Sequence, residues 1–277
     1  MKQMLAQSIA LLVSAFVMAA AVPTVASPGK RVTFQSDGNS LVGYLYQPEG
    51  EGPWPALIWN HGSEENPGAG PQFNTVASVF VPAGFVVFAP QRRGHGESGG
   101  TYIVDRIKMT TRMLGKDEAN RLTVKLLETE QLDDQLAALA YVQHLPFVDP
   151  QRIVSAGFSF GGVQALLGAE SRMGYRAVIS ISPGALMWDR NEYLRDRLVK
   201  AVGRLNVPVL LIQPARDASL GPSSVLGSTA LRAGKPLTAK VYPAAGPSKE
   251  QEHCFGGASG IHVWAEDAKA FFQANLP

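Results

Sequence analysis

Short, nearly continuous apolar runs alternate with stretches of helical periodicity, and this alternation constrains the fold more than any other feature. The runs lie in "PALIWNHG", "FVVFAPQRRG", "RIVSAGF", "AVISISPG", "VPVLLIQP" and "LTAKVYP". A strand with one wet face alternates polar and apolar residues, whereas a strand buried on both faces is apolar at successive positions. Helix candidates fall between the runs. Thr129 to Leu145 carries Leu132, Leu136, Leu139 and Val142 at helical spacing, and the chain closes on the amphipathic "WAEDAKAFFQANL". The expectation is an α/β fold: a mostly parallel central sheet with helices on both faces. Ahead of it, "RVTFQSD" and "LVGYLYQP", separated by Gly38-Asn39-Ser40, predict an antiparallel hairpin.

The 277 residues are 45% hydrophobic and 17% charged, enough for one ordered domain with a substantial core. The formal net charge is +2 and no Lys/Arg block stands out, which argues against a nucleic-acid partner. Cys254 is the only cysteine, so an intramolecular disulfide is excluded. Lys2, the apolar stretch Ile9 to Val22 and the small residues up to Ala26 read as a secretory signal peptide, residues 1–26, ahead of a domain at 27–277. An uncleaved N-terminal anchor is the alternative. No later stretch is apolar enough to span a membrane, and a bacterial periplasmic or secreted location follows as the expectation.

G-x-S-x-G occurs twice. Gly157-Phe158-Ser159-Phe160-Gly161 follows a strand candidate and opens a helix candidate, the context of a nucleophile elbow. The glycines two before and two after the serine leave room in a sharp, crowded turn. Ser98, in "RRGHGESGG", lies past its strand in loop composition and is read as a decoy. A serine needs a base, and the base needs an orienting acid. Asp217 follows the run "VPVLLIQP" directly, at the sheet edge where sites gather. Two histidines come later. His253, in a polar, glycine-bearing loop, is the preferred base, and His262, beside the final helix, is the alternative. His61 and His95 precede the elbow and His144 sits near a helix end, so these are weaker candidates. The oxyanion donors are assigned to the backbone N–H of Phe160 and that of Ser63, or of Glu64 if the turn is offset by one.

With "NHGS", "RRGHGESGG", "GFSFGG", "QPARD" and "HCFGG…IHVWAEDAKAFF" in this order, the chain resembles the α/β-hydrolase superfamily from about Val32 to Leu276. More narrowly, it looks like the dienelactone-hydrolase-like and prolyl-oligopeptidase-like branch. The resemblance implies an α/β-hydrolase fold and a base in a His–Phe pattern before a tryptophan-led last helix, which His253, Phe255 and Trp264 match. Dienelactone hydrolases proper use cysteine where this chain has Ser159, so a general carboxylic ester is the expected small-molecule substrate. No cofactor is called for, and no H-E-x-x-H or comparable cluster points to a metal.

The leading expectation is a serine esterase. A prolyl-oligopeptidase-like peptidase or amidase, or a non-catalytic binding protein on the same fold, are the alternatives. Residues 99–125 and 185–206 exceed a minimal α/β unit. Either could form a small helical cap over a pocket or pack as surface helices. Arg92, Arg93 and Arg216 could favour an anionic substrate or make structural ion pairs.

Overall fold

The computed structural model describes residues 29–67, 71–171, 174–244, 248, 252–257 and 260–277. The segment read as a signal peptide lies outside them. Eight strands form one sheet: β1 (Lys30–Ser36), β2 (Asn39–Tyr46), β3 (Trp54–Asn60), β4 (Val86–Pro90), β5 (Val148–Phe158), β6 (Val178–Ile181), β7 (Val209–Pro214) and β8 (Leu237–Tyr242). Their spatial order is β1-β2-β4-β3-β5-β6-β7-β8. β2 runs antiparallel to both β1 and β4, and every other neighbouring pair is parallel. Each apolar run of the sequence is one of these strands.

The hairpin is tighter than expected. Ser36 pairs with Asn39, so the turn is Asp37-Gly38 alone and Asn39 and Ser40 belong to β2. Both turn residues have positive φ, 45° and 75°, as a two-residue turn that matches strand twist requires.

Two apolar layers sandwich the sheet. Leu57, Trp59, Val87, Ala89, Val154 and Ala156 point into one, closed by helices α1 (Pro71–Phe80) and, at the C-terminus, α8 (Ile261–Asn275). Their neighbours Ala56, Ile58, Val86, Phe88 and Ile153 point into the other. That layer is closed by α3 (Lys116–Glu128), α4 (Glu130–Gln143), α5 (Phe160–Glu170) and α6 (Glu192–Gly203). The remaining helices are α2 (Ile103–Leu114) and α7 (Gly227–Arg232). The two long insertions separate in character. In 185–206, α6 buries Leu194, Leu198, Ala201 and Val202, and Arg197 joins Glu128 on α3 to Glu170 on α5 at 2.6 and 2.7 Å, so α6 is a packed layer helix. In 99–125, α2 buries only Ile103 and leaves Met109, Met113 and Leu114 exposed. No helix among the described residues is long and apolar enough to cross a membrane.

Candidate active site

β5 ends at Phe158 and α5 begins at Phe160, leaving Ser159 alone to reverse the chain. Its backbone sits at φ 57°, ψ −115°, the first-position geometry of a type II′ turn, which glycine dominates. The reversal brings backbone against backbone. A Cβ on Gly161 would lie 1.9 Å from the Asn60 carbonyl oxygen, and one on Gly157 would lie 2.2 Å from that of Gly161. Both positions therefore exclude a side chain, as the sequence pattern predicts. Ser159 is held from behind by its own N–H, which donates to the Ile181 carbonyl at 2.9 Å.

Ser159, His253 and Asp217 lie 94 and 36 residues apart in the chain and meet in one hydrogen-bonded row. His253 Nε2 is 3.0 Å from Ser159 Oγ, and His253 Nδ1 is 2.8 Å from Asp217 Oδ1. An ionised carboxylate can only accept, so Nδ1 carries the proton and Nε2 is left to accept the serine O–H. All three residues are at most 5% exposed. Burial pushes the Asp217 carboxyl up, but the bond and charge of His253, helped by Gln213, outweigh it and hold the group below the ordinary 3.8. The Phe158 ring lies 5.2 Å from the imidazole, centroid to centroid.

Gln213, the last polar residue of β7, is a member that sequence reasoning missed. Its amide N–H donates to Asp217 Oδ2 at 2.7 Å and to the Ser219 carbonyl at 3.0 Å, while its oxygen accepts from the N–H and hydroxyl of Ser223 at 2.8 and 2.6 Å. The Ala218 N–H adds a 2.7 Å bond to Asp217 Oδ1. The acid is thus fixed on both oxygens. A glutamine ending an otherwise apolar strand, four residues before the acid, was the available signal.

The other candidates fall elsewhere. His262 is exposed in the first turn of α8, while His144 caps α4, its Nδ1 2.6 Å from the Ala140 carbonyl. Ser98 is a peg between strands: its Oγ accepts from Val42 N–H at 2.9 Å and donates to the Gln91 carbonyl at 2.7 Å. Burial, with Glu64 and Asp217 nearby, pushes the Cys254 thiol up, which disfavours the nucleophilic thiolate. Arg93 is taken up by Asp134, through its backbone N–H at 2.8 Å and its guanidinium at 2.8 Å. Arg216 is half exposed, 3.9 Å from Glu252. Of the oxyanion candidates, Phe160 is the first residue of α5, where a helix leaves its N–H groups without intrahelical partners. Ser63 lies three residues beyond β3, whose Asn60 pairs with Gly157 in the adjacent strand.

The sheet order, the strand-to-helix turn at Ser159 and the row that meets it define an α/β-hydrolase fold. Est1E from Butyrivibrio proteoclasticus, solved with ferulic acid bound, superposes with a TM-score of 0.65 over 88% of this chain and 98% of its own, at 19% identity. Residues 41–272 match the model of the dienelactone hydrolase family, and the chain belongs to that family of hydrolases. Among curated relatives, the quorum-quenching protein AidA of Acinetobacter baumannii (strain MDR-ZJ06) is 31% identical over 55% of this chain and 43% of its own length. A Synechocystis sp. (strain ATCC 27184 / PCC 6803 / Kazusa) protein named as a carboxymethylenebutenolidase is 30% identical over 50% and 52%. The chain spans about half the length of the curated relatives it matches.

Proposed function

We propose that the protein is an exported serine hydrolase that cleaves a small carboxylic ester through an acyl-enzyme. Ser159 Oγ attacks the ester carbonyl as His253 Nε2 takes its proton, and Asp217 holds the resulting imidazolium. The N–H groups of Phe160 and Ser63 receive the tetrahedral oxyanion. Collapse expels the alcohol, which leaves with the proton from His253. Water, deprotonated by the same imidazole, then releases the acid and restores Ser159. The observation that carries this reading is the unbroken Asp217–His253–Ser159 row, ending on a serine held at a positive φ at the head of a helix. Membership of the dienelactone hydrolase family supports hydrolysis of an ester or peptide, and of the two we take the small ester as substrate. Export is supported by Lys2 and the apolar stretch from Ile9 to Val22.

One experiment tests these parts together. The protein is expressed in a Gram-negative host, treated with a fluorophosphonate and weighed intact, and the adduct is mapped. The expected species is a chain beginning at Ser27 with one adduct on Ser159, absent from Ser159→Ala and His253→Ala and retained in His262→Ala. Labelling that survives Ser159→Ala would reject the nucleophile. Loss in His262→Ala with retention in His253→Ala would reverse the choice of base, and a full-length mass would reject cleavage. Faster turnover of aminoacyl anilides than of simple esters would move the assignment to a peptidase.

A further inference from the structure

Arg92 is a cation in the wrong place for a structural ion pair. Its side chain is 1% exposed, yet among the described residues no carboxylate lies within salt-bridge distance of it; Glu64 and Asp134 reach it only through longer-range charge. Burial draws its pKa down to about 10, against the opposing pull of those two charges. A buried guanidinium is costly to desolvate, so the bonds that hold it there call for an account. Arg92 Nη2 donates to the Gly62 carbonyl at 2.6 Å, and Nε donates to Gln131 Oε1 at 2.9 Å. His61 joins it on the same carbonyl. The Arg92 backbone N–H donates to His61 Nε2 at 3.1 Å, which places the ring proton on Nδ1, 2.9 Å from the Gly62 oxygen. Burial first, then the charge of Arg92, keeps His61 far below its ordinary pKa, so the imidazole stays neutral and able to accept. The next carbonyl along, that of Ser63, accepts the Tyr102 hydroxyl at 2.5 Å. Two residues further on, the Glu65 carbonyl accepts the Gly96 N–H at 2.8 Å.

The bonds of Arg92 and His61 act on one peptide whose other end matters, and those to Ser63 and Glu65 pin the loop that follows it. In a trans peptide the C=O of Gly62 and the N–H of Ser63 point in opposite directions, so donors that hold the oxygen also aim the N–H away from themselves. A guanidinium on the oxygen further polarises the peptide and makes the N–H a stronger donor. The same loop lies against the nucleophile turn, where a Cβ on Gly161 would meet the His61 carbonyl at 2.5 Å and one on Gly62 would meet the Phe158 ring at 3.1 Å.

We propose that Arg92, together with His61, is a positioning residue that locks and polarises the Gly62–Ser63 peptide as an oxyanion donor, while Tyr102, on the next carbonyl, holds the loop that carries it. This rests on the reading of Ser63 given above, and it explains a buried guanidinium that none of the acyl-transfer steps uses. The test compares ester turnover with the affinity of an aryl trifluoromethyl ketone, whose adduct with Ser159 carries the oxyanion. In Arg92→Met, kcat and ketone affinity should both fall by about 10²-fold while KM changes little. Arg92→Lys, which returns a cationic donor, should recover part of both. Tyr102→Phe, which removes only a hydroxyl from a half-buried ring, should lose about tenfold in the same two quantities.

Folded Arg92→Met with wild-type kcat and ketone affinity overturns the proposal, as does a fall in kcat with ketone affinity unchanged. Should Arg92→Met fail to fold, Tyr102→Phe decides: unchanged values there overturn it. Wild-type protein that neither cleaves esters nor binds the ketone overturns the esterase reading as well. Wild-type protein that does both, beside variants that match it, overturns this inference alone.

Discussion

At the scale of single residues, the site is where local preference is overridden. Ser159 occupies a backbone conformation that suits glycine, and only the packing of β5, β6 and α5 around it keeps it there. Residues held in such regions cost about 1–3 kcal/mol each. The strain turns the hydroxyl toward His253 at the head of a helix, so it belongs to the proposed chemistry rather than to the fold. Ser159→Gly and Ser159→Ala should both lose turnover, yet they should differ in stability. Glycine relieves the strain and alanine does not, while glycine also gains entropy in the unfolded chain, which offsets part of the difference. Ser159→Gly is expected to be the more stable by about 1 kcal/mol, a melting temperature higher by about 2–4 °C at this chain length. Thermal unfolding of the two proteins side by side checks it. Equal melting temperatures would mean that the strain at Ser159 is no larger than the entropy glycine gains in the unfolded chain.

Among the elements, the strands were legible and the polar helix faces were not. Continuous apolar runs identify strands because burial on both faces leaves no room for alternation, and all eight appear where the sequence suggests. Helix α4 misleads for the converse reason. Its leucines suggest an apolar stripe, but Leu136 is exposed and the buried face includes Gln131, Asp134 and Gln135. Gln131 faces Arg92 and Asp134 faces Arg93, so the partners that make those polar groups burial-competent come from a loop some 40 residues away. No local pattern reveals such a pairing. The same holds for His61 and Arg92, while Gln213 leaves only the trace of a polar residue closing an apolar strand. Ser159, Asp217 and His253, the proposed triad, are singled out because strand ends and chain order restrict where such residues fall. The contact between the β3 loop and α5 gives an element-scale prediction. Gly161→Ala puts a methyl group against the Asn60 and His61 carbonyls, which cannot yield without moving the loop that carries Ser63. The variant should lose about 1–3 kcal/mol in urea unfolding and most of its esterase activity. Unchanged stability would show that the two elements stand further apart than this packing requires.

Across the whole molecule, the three residues of the row come from the ends of β5 and β7 and from the segment after β8, so only the assembled sheet brings them together. The last of them depends on the C-terminal helix as well. Trp264 of α8 is fully buried, its indole stacked on Trp59 of β3 with centroids 6.3 Å apart and planes 2° from parallel. Its Nε1–H donates to the Phe255 carbonyl at 2.9 Å, two residues beyond His253. One side chain thus ties the sheet, the final helix and the loop that bears the proposed base. Trp264→Phe keeps an aromatic ring in the layer while removing that donor. It should lower stability by about 1–3 kcal/mol, from the unpaired carbonyl and the lost ring volume. It should also reduce kcat on the order of tenfold, because the imidazole is no longer held to within a fraction of an ångström of Ser159. Urea unfolding reads the first effect, and initial rates on a p-nitrophenyl ester at saturating substrate read the second. Lost stability with full kcat would make α8 a cover for the sheet and leave the seating of His253 to Asp217 and Phe158. Both losses together would make the last helix part of the apparatus that seats the base.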